Sequence, residues 1–206
     1  MKKIYILLIF VAFCINAKDD KSLERLIEGN LRFLKNSKLE RSREKGLEGQ
    51  SPFAVILACS DSRVSPELIF DTDLGEVFVI RNAGNVVDEV TVASSEFAVD
   101  ILNTSLVIVI GHQNCGAVKG TLDVTFENWK ASPESLNTIF KKIQPSLKGI
   151  GSVSQLTKAV KNNAVYQKNL LIEKSSIIRS RLREGKVKCL AMYYDMSTGR
   201  VSEVKD

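Results

Sequence analysis

With 206 residues the chain is long enough for one well-packed domain and short for two, and a formal charge of +5 is only a mild basic excess. Its basic residues are scattered over helix-like segments such as Ser175 to Arg183, with no aromatic platform between them, which argues against a nucleic-acid groove. A single histidine, His112, excludes an all-histidine metal site. In chain order, Lys2 and Lys3 form a short basic region, Ile4 through Ile15 is an apolar run, and Ile15-Asn16-Ala17 approximates a small-residue cleavage pattern. Residues 1–17 therefore read as a secretory signal, too short for the ~20 residues of a membrane span. Cleavage would remove Lys2, Lys3 and Cys14, leaving a charge of +3, three cysteines and one domain over 18–206 with no stable membrane insertion. An odd number of cysteines in an exported chain is no disulfide scaffold.

From Asp19 to Asn36, Leu23, Ile27, Leu31 and Leu34 recur at helical intervals and predict an amphipathic helix. Lys38 to Gln50 is charged and glycine-bearing, hence a connection. Short apolar runs at Phe53 to Ala58, Glu76 to Ile80, Leu106 to Ile110 and Val187 to Tyr194 predict strands. Helical patterns separate them at Val90 to Leu102, Pro133 to Leu147 and Ser154 to Arg183, the last with a break near Tyr166. Nearly all-apolar strands alternating with helices predict an α/β fold: a mostly parallel central sheet covered by helices, preceded by an amino-terminal helical arm.

This order places the chemistry. Cys59 follows the first strand and His112 the third, and open α/β sheets bind ligands at the carboxyl ends of their strands. Ser65 with Pro66 and Glu67 predicts a capped helix, and Gly116 permits a tight turn behind Cys115. Taken singly, these are a core histidine and two buried thiols. Taken together, Cys59, His112 and Cys115 supply three ligands for a zinc ion with a fourth position open, the count of a catalytic site. Cys189, embedded in an apolar strand, reads as a small buried hydrophobe. Asp61 and Arg63 alternate along an extended segment beside Cys59, where arginine can hold a carboxylate by two parallel hydrogen bonds.

Cys59-Ser60-Asp61-Ser62-Arg63, Arg81-Asn82-Ala83-Gly84-Asn85 and Gly111-His112-x-x-Cys115-Gly116 resemble the three signature stretches of the β-class carbonic anhydrases, in family order. Asn30-x-Arg32-Phe33 and Tyr194-Asp195-x-x-Thr198-Gly199-x-Val201 extend the resemblance over nearly all of the chain after the signal. The resemblance implies a zinc-dependent hydration of carbon dioxide to bicarbonate, with Cys59, His112 and Cys115 on the metal and Asp61 and Arg63 as the catalytic dyad. It further implies Gln50 as a substrate-orienting amide and Phe78 and Ala83 as apolar pocket residues, as in the plant-type branch. Phe97 departs from that branch, which has tyrosine there. A homodimer or dimer of dimers is implied, with the amino-terminal helix over a neighbour and the cleft at the subunit boundary. Export suggests the periplasm. A carbon disulfide or carbonyl sulfide hydrolase on the same site, and a non-catalytic zinc or bicarbonate-binding protein, are the alternative readings.

Overall fold

A computed structural model describes residues 17–205, so residues 1–16 of the predicted leader lie outside the described ones. The described residues divide into two compact units, with the boundary between Glu44 and Lys45. In the first, α1 (Ala17–Leu34) forms where the periodicity predicts it and exposes Leu23, Ile27, Leu31 and Leu34. The charged stretch after it is not a plain connection but a second helix, α2 (Ser37–Gly46). Leucine, lysine, glutamate and arginine are all good helix formers, and this local preference decides where no apolar stripe is present. Arg43 lies 5.2 Å from the centre of the Phe33 ring and donates to the Phe33 carbonyl at 3.3 Å.

The second unit is built on a five-stranded sheet with spatial order β2-β1-β3-β4-β5. Strands β1 (Ala54–Cys59), β2 (Val77–Asn82), β3 (Leu106–His112) and β4 (Lys188–Asp195) are parallel, and β5 (Arg200–Glu203) adds an antiparallel edge. The four predicted strands are all present; β5, short and polar, has no apolar pattern to announce it. Between the strands come α3 (Pro66–Ile69), α4 (Glu89–Glu96) running into a π-helical turn at Phe97–Ile101, α5 (Gly116–Phe126), α6 (Asn137–Ile143), α7 (Leu156–Lys174) and α8 (Ser176–Arg183). The break in the last helical run falls at Ser175 and not near Tyr166. Ser175 is fully buried, caps α8 by accepting from the Ile178 N–H at 3.0 Å, and donates to Glu96 at 2.7 Å, so a tertiary bond fixes the break.

Val55 and Leu57 of β1 and Val107 and Val109 of β3 face the helices and pack with Val87, Ala98, Val99, Leu171 and Ile178. Further along the same face, Cys59, Cys115, Val118, Leu122, Ile143 and Val160 form the core around the strand ends. On the opposite face Ala54, Ile56, Ala58, Ile108 and Ile110 pack with Phe70 and Met192. That face keeps an apolar groove of about 290 Å³.

Gly111, immediately before His112, is required by close packing. A Cβ there would lie 2.9 Å from Val160 Cγ1 and 3.2 Å from the Val160 carbonyl oxygen on α7. Gly111→Ala is expected to cost about 1–3 kcal/mol by forcing α7 off the sheet. It should also weaken metal binding through the neighbouring His112; unchanged urea midpoint and metal affinity would contradict this.

Candidate metal centre and catalytic dyad

The sheet brings the predicted donors together. Cys59 ends β1, His112 ends β3, and Cys115 stands at the N-cap of α5, so two strand ends and one helix start surround a single point. The turn between His112 and Cys115 is made by Asn114, in the left-handed region at φ 56°, while Gly116 is simply the first residue of α5. One ligand atom from each of Cys59, His112 and Cys115 lies within 4.8 Å of the others, and all three residues are buried.

The ring of His112 is oriented by its own strand end. Its Nδ1 lies 3.0 Å from the Gln113 carbonyl, which requires a proton on Nδ1 and leaves the Nε2 lone pair free. Nε2 is buried and has no hydrogen-bond partner. A buried polar atom without a partner is costly, and a metal ion among the two sulfurs satisfies it. The thiols point the same way. The Cys59 thiol is pulled down by a hydrogen bond from Cys115, helped by the Gly84 N–H. The same Cys59 bond, together with burial, pushes the Cys115 thiol up. Two adjacent buried sulfurs and one imidazole nitrogen are the soft and borderline donors that suit a divalent ion such as zinc.

Beside this centre Asp61 and Arg63 form the predicted fork. Arg63 Nε donates to Asp61 Oδ1 at 2.9 Å and an Nη to Oδ2 at 2.7 Å, and the Arg63 backbone N–H adds a 3.0 Å bond to Oδ1. The Arg63 side chain holds the Asp61 carboxyl well below the usual carboxylate range. The ionised form of Asp61 is therefore favoured.

Ser65 precedes α3 with Pro66 at the first helical position, as predicted, but its hydroxyl donates to the Glu67 carboxylate at 2.9 Å and does not cap the backbone. Ala83 adjoins Gly84, whose N–H donates to Cys59 Sγ at 3.3 Å, so its backbone passes beside the centre. Phe78 and Gln50 do not converge on it within one chain. Phe78 pairs in register with Val55, four residues up the strand from Cys59, or about 13 Å at strand spacing. Gln50 is exposed and precedes β1, beyond the end of the strand opposite Cys59. Phe78 instead meets Phe97, ring centres 6.2 Å apart.

Arg81 has a role that reading the sequence missed. Its Nε donates to the Cys59 carbonyl at 3.0 Å and an Nη to the Asp61 carbonyl at 2.7 Å, which ties down the segment joining ligand and dyad. It opens the signature stretch Arg81-Asn82-Ala83-Gly84-Asn85 and stands one residue before the partner of Cys59, which were the available signals.

An α/β sheet whose strand ends gather two thiols, one imidazole and an aspartate–arginine fork has the donor set of a divalent-metal site with a carboxylate held beside it. Residues 54–201 match the family model described as carbonic anhydrase. The carbonic anhydrase of Mycolicibacterium smegmatis is 32% identical over 90% of this chain and 93% of its own length. Carbonic anhydrase 2 of Mycobacterium tuberculosis is 34% identical over 85% of this chain and 87% of its own length. Among solved structures, the β-carbonic anhydrase CcaA superposes with a TM-score of 0.78 at 29% identity, covering 89% of this chain and 95% of that one. The chain belongs to the β-carbonic anhydrase family.

Proposed function

We propose that the protein catalyses the reversible, zinc-dependent hydration of carbon dioxide to bicarbonate and a proton, with Cys59, His112 and Cys115 holding the metal. The convergence of those three donors, with the His112 Nε2 lone pair buried and unpartnered, carries the reading. Zinc, when bound, supplies Lewis-acid activation of water for attack on the carbon of the substrate. Asp61 keeps one Oδ2 lone pair not used by Arg63 and with it accepts a hydrogen bond from the attacking oxygen, turning that oxygen's nucleophilic lone pair toward the substrate. Arg63 holds that carboxylate in place. Gln50 donates to a substrate oxygen and Phe78 lines an apolar wall, both delivered by a second copy of the chain, while Ala83 contributes from the same chain.

A homodimer, or a dimer of dimers, follows from this division of labour. The exposed apolar stripe of α1 supports it, since such a face needs a partner. A β-carbonic anhydrase of Sordaria macrospora with the same fold is described as tetrameric. Reading residues 1–17 as a secretory leader assigns the mature enzyme to the periplasm. The retained Asp61–Arg63 fork and the carbonic anhydrase names of the relatives favour hydration over the sulfur-substrate hydrolases and over a non-catalytic binding role.

A stopped-flow hydration assay on the zinc-loaded protein tests the reading, and absence of carbon dioxide hydration would refute it. The rate at saturating substrate is also expected to rise with buffer concentration. His112 is committed to the centre and no other histidine exists to carry the product proton away. A rate indifferent to buffer would contradict that inference.

A further inference from the structure

The inward face of α7 is apolar at Ala159, Val160, Ala164 and Leu171, yet between them it buries two carboxamides, Asn163 and Gln167. Buried amides are costly unless bonded, so what these two bind is informative. Gln167 Oε1 accepts from the Val87 N–H at 2.8 Å, and its Nε2 donates to the Lys142 carbonyl at 3.0 Å and to Asn163 Oδ1 at 3.1 Å. Asn163 Nδ2 donates to the Gly84 carbonyl at 3.0 Å. The two amides therefore grip both ends of the 84–87 loop.

That loop needs gripping. Gly84 and Asn85 both lie in the left-handed region, at φ 78° and 45°, which glycine adopts freely and asparagine at a modest cost that neighbouring bonds offset. A Cβ on Gly84 would lie 2.7 Å from Ile143 Cδ1 and 3.1 Å from Ala117 Cβ, so its path is also set by close packing. Asn82 closes the turn from within, its amide accepting from the Val86 N–H at 2.7 Å and donating to the Val86 carbonyl at 2.8 Å. What the fixed loop presents is the Gly84 N–H, aimed at Cys59 Sγ.

We propose that Asn163 and Gln167 are positioning residues for the metal centre, locking the 84–87 loop so that the Gly84 N–H bonds to the Cys59 sulfur. This rests on the zinc-site reading above. A peptide N–H on a ligating sulfur fixes its direction and draws charge from it, and partners of that kind set metal affinity. Neither amide belongs to a segment that carries the ligands or the dyad; both reach the loop across 79 and 80 residues of sequence.

Asn163→Leu, Asn163→Ser and Gln167→Glu in the full-length protein test this by two readouts. One is zinc affinity, by competition with a chelator; the other is the thiolate-to-metal charge-transfer band after cobalt is substituted. Ile56→Val, buried on the opposite face of the sheet, is the reference for a general loss of stability. The three amide variants are expected to bind zinc about 10- to 100-fold more weakly and to shift the band, with Ile56→Val unchanged in both. Parent-like affinity and band position in a folded Asn163→Leu would overturn the proposal, as would an equal loss in Ile56→Val. Should Asn163→Leu fail to fold, Asn163→Ser and Gln167→Glu decide on the same criteria. A parent protein that binds no zinc would defeat the site reading itself, whereas zinc-binding variants identical to the parent would defeat only the role of these amides.

Discussion

Arg63→Ala is expected to give a folded protein that keeps its zinc and loses nearly all hydration activity, on the order of 10²- to 10⁴-fold in rate. The side chain is more than half exposed and contributes nothing to the core, so its removal leaves the fold intact. Its work is done on Asp61. The two-pronged bond fixes the carboxylate in one orientation and holds it ionised far into acid. Because Asp61 is lowered by Arg63, the stability of the pair is present above the ordinary aspartate range and is lost only as pH falls through the depressed value. No rise of activity near neutral pH can therefore be the titration of Asp61. Without Arg63 the carboxyl moves back toward its usual range, and nothing would keep the carboxylate from turning toward a bound metal ion. Arg63→Lys should rescue only in part, since an ammonium group is a point charge and cannot reproduce the fork. Metal analysis with stopped-flow kinetics checks the pair of outcomes, and full activity in Arg63→Ala would refute the dyad.

Cys59→Ala is expected to abolish both stoichiometric zinc binding and hydration. The centre has three protein donors, and a catalytic zinc site with one position open to solvent cannot spare one of them. The substitution removes a single atom from a buried position, so the loss is chiefly chemical. It also strips the Gly84 N–H of its acceptor, a further cost of about 1–3 kcal/mol for an unsatisfied buried group. His112→Ala should behave alike toward zinc but spare the Gly84 bond, so the two variants differ in thermal stability and agree in metal content. Elemental analysis showing a full equivalent of zinc in purified Cys59→Ala would refute the assignment.

Much of the domain was legible from residue type and order. Apolar runs gave β1 to β4 to within two residues at each end, because burial on both faces of a parallel sheet demands continuous aliphatic sequence. Segments whose structure depends on partners elsewhere were not legible. The α7–α8 break depends on a bond from Ser175 to Glu96, and β5 exists because β4 offers it an edge. Helix α2 was missed for the opposite reason, since local preference acts there without an amphipathic pattern.

The donor set and its chemistry were determined by the sequence alone: two thiols, one imidazole and an adjacent carboxylate–guanidinium pair, placed at strand ends by hydrophobic patterning. Tertiary structure decided which of these atoms converge, that Phe78 and Gln50 stand away from the centre of their own chain, and that Arg81, Gly84, Asn163 and Gln167 serve it. The division has a physical cause. Ligand chemistry is a property of side-chain type, whereas the direction of a backbone N–H toward a sulfur is set by packing between residues far apart in the chain.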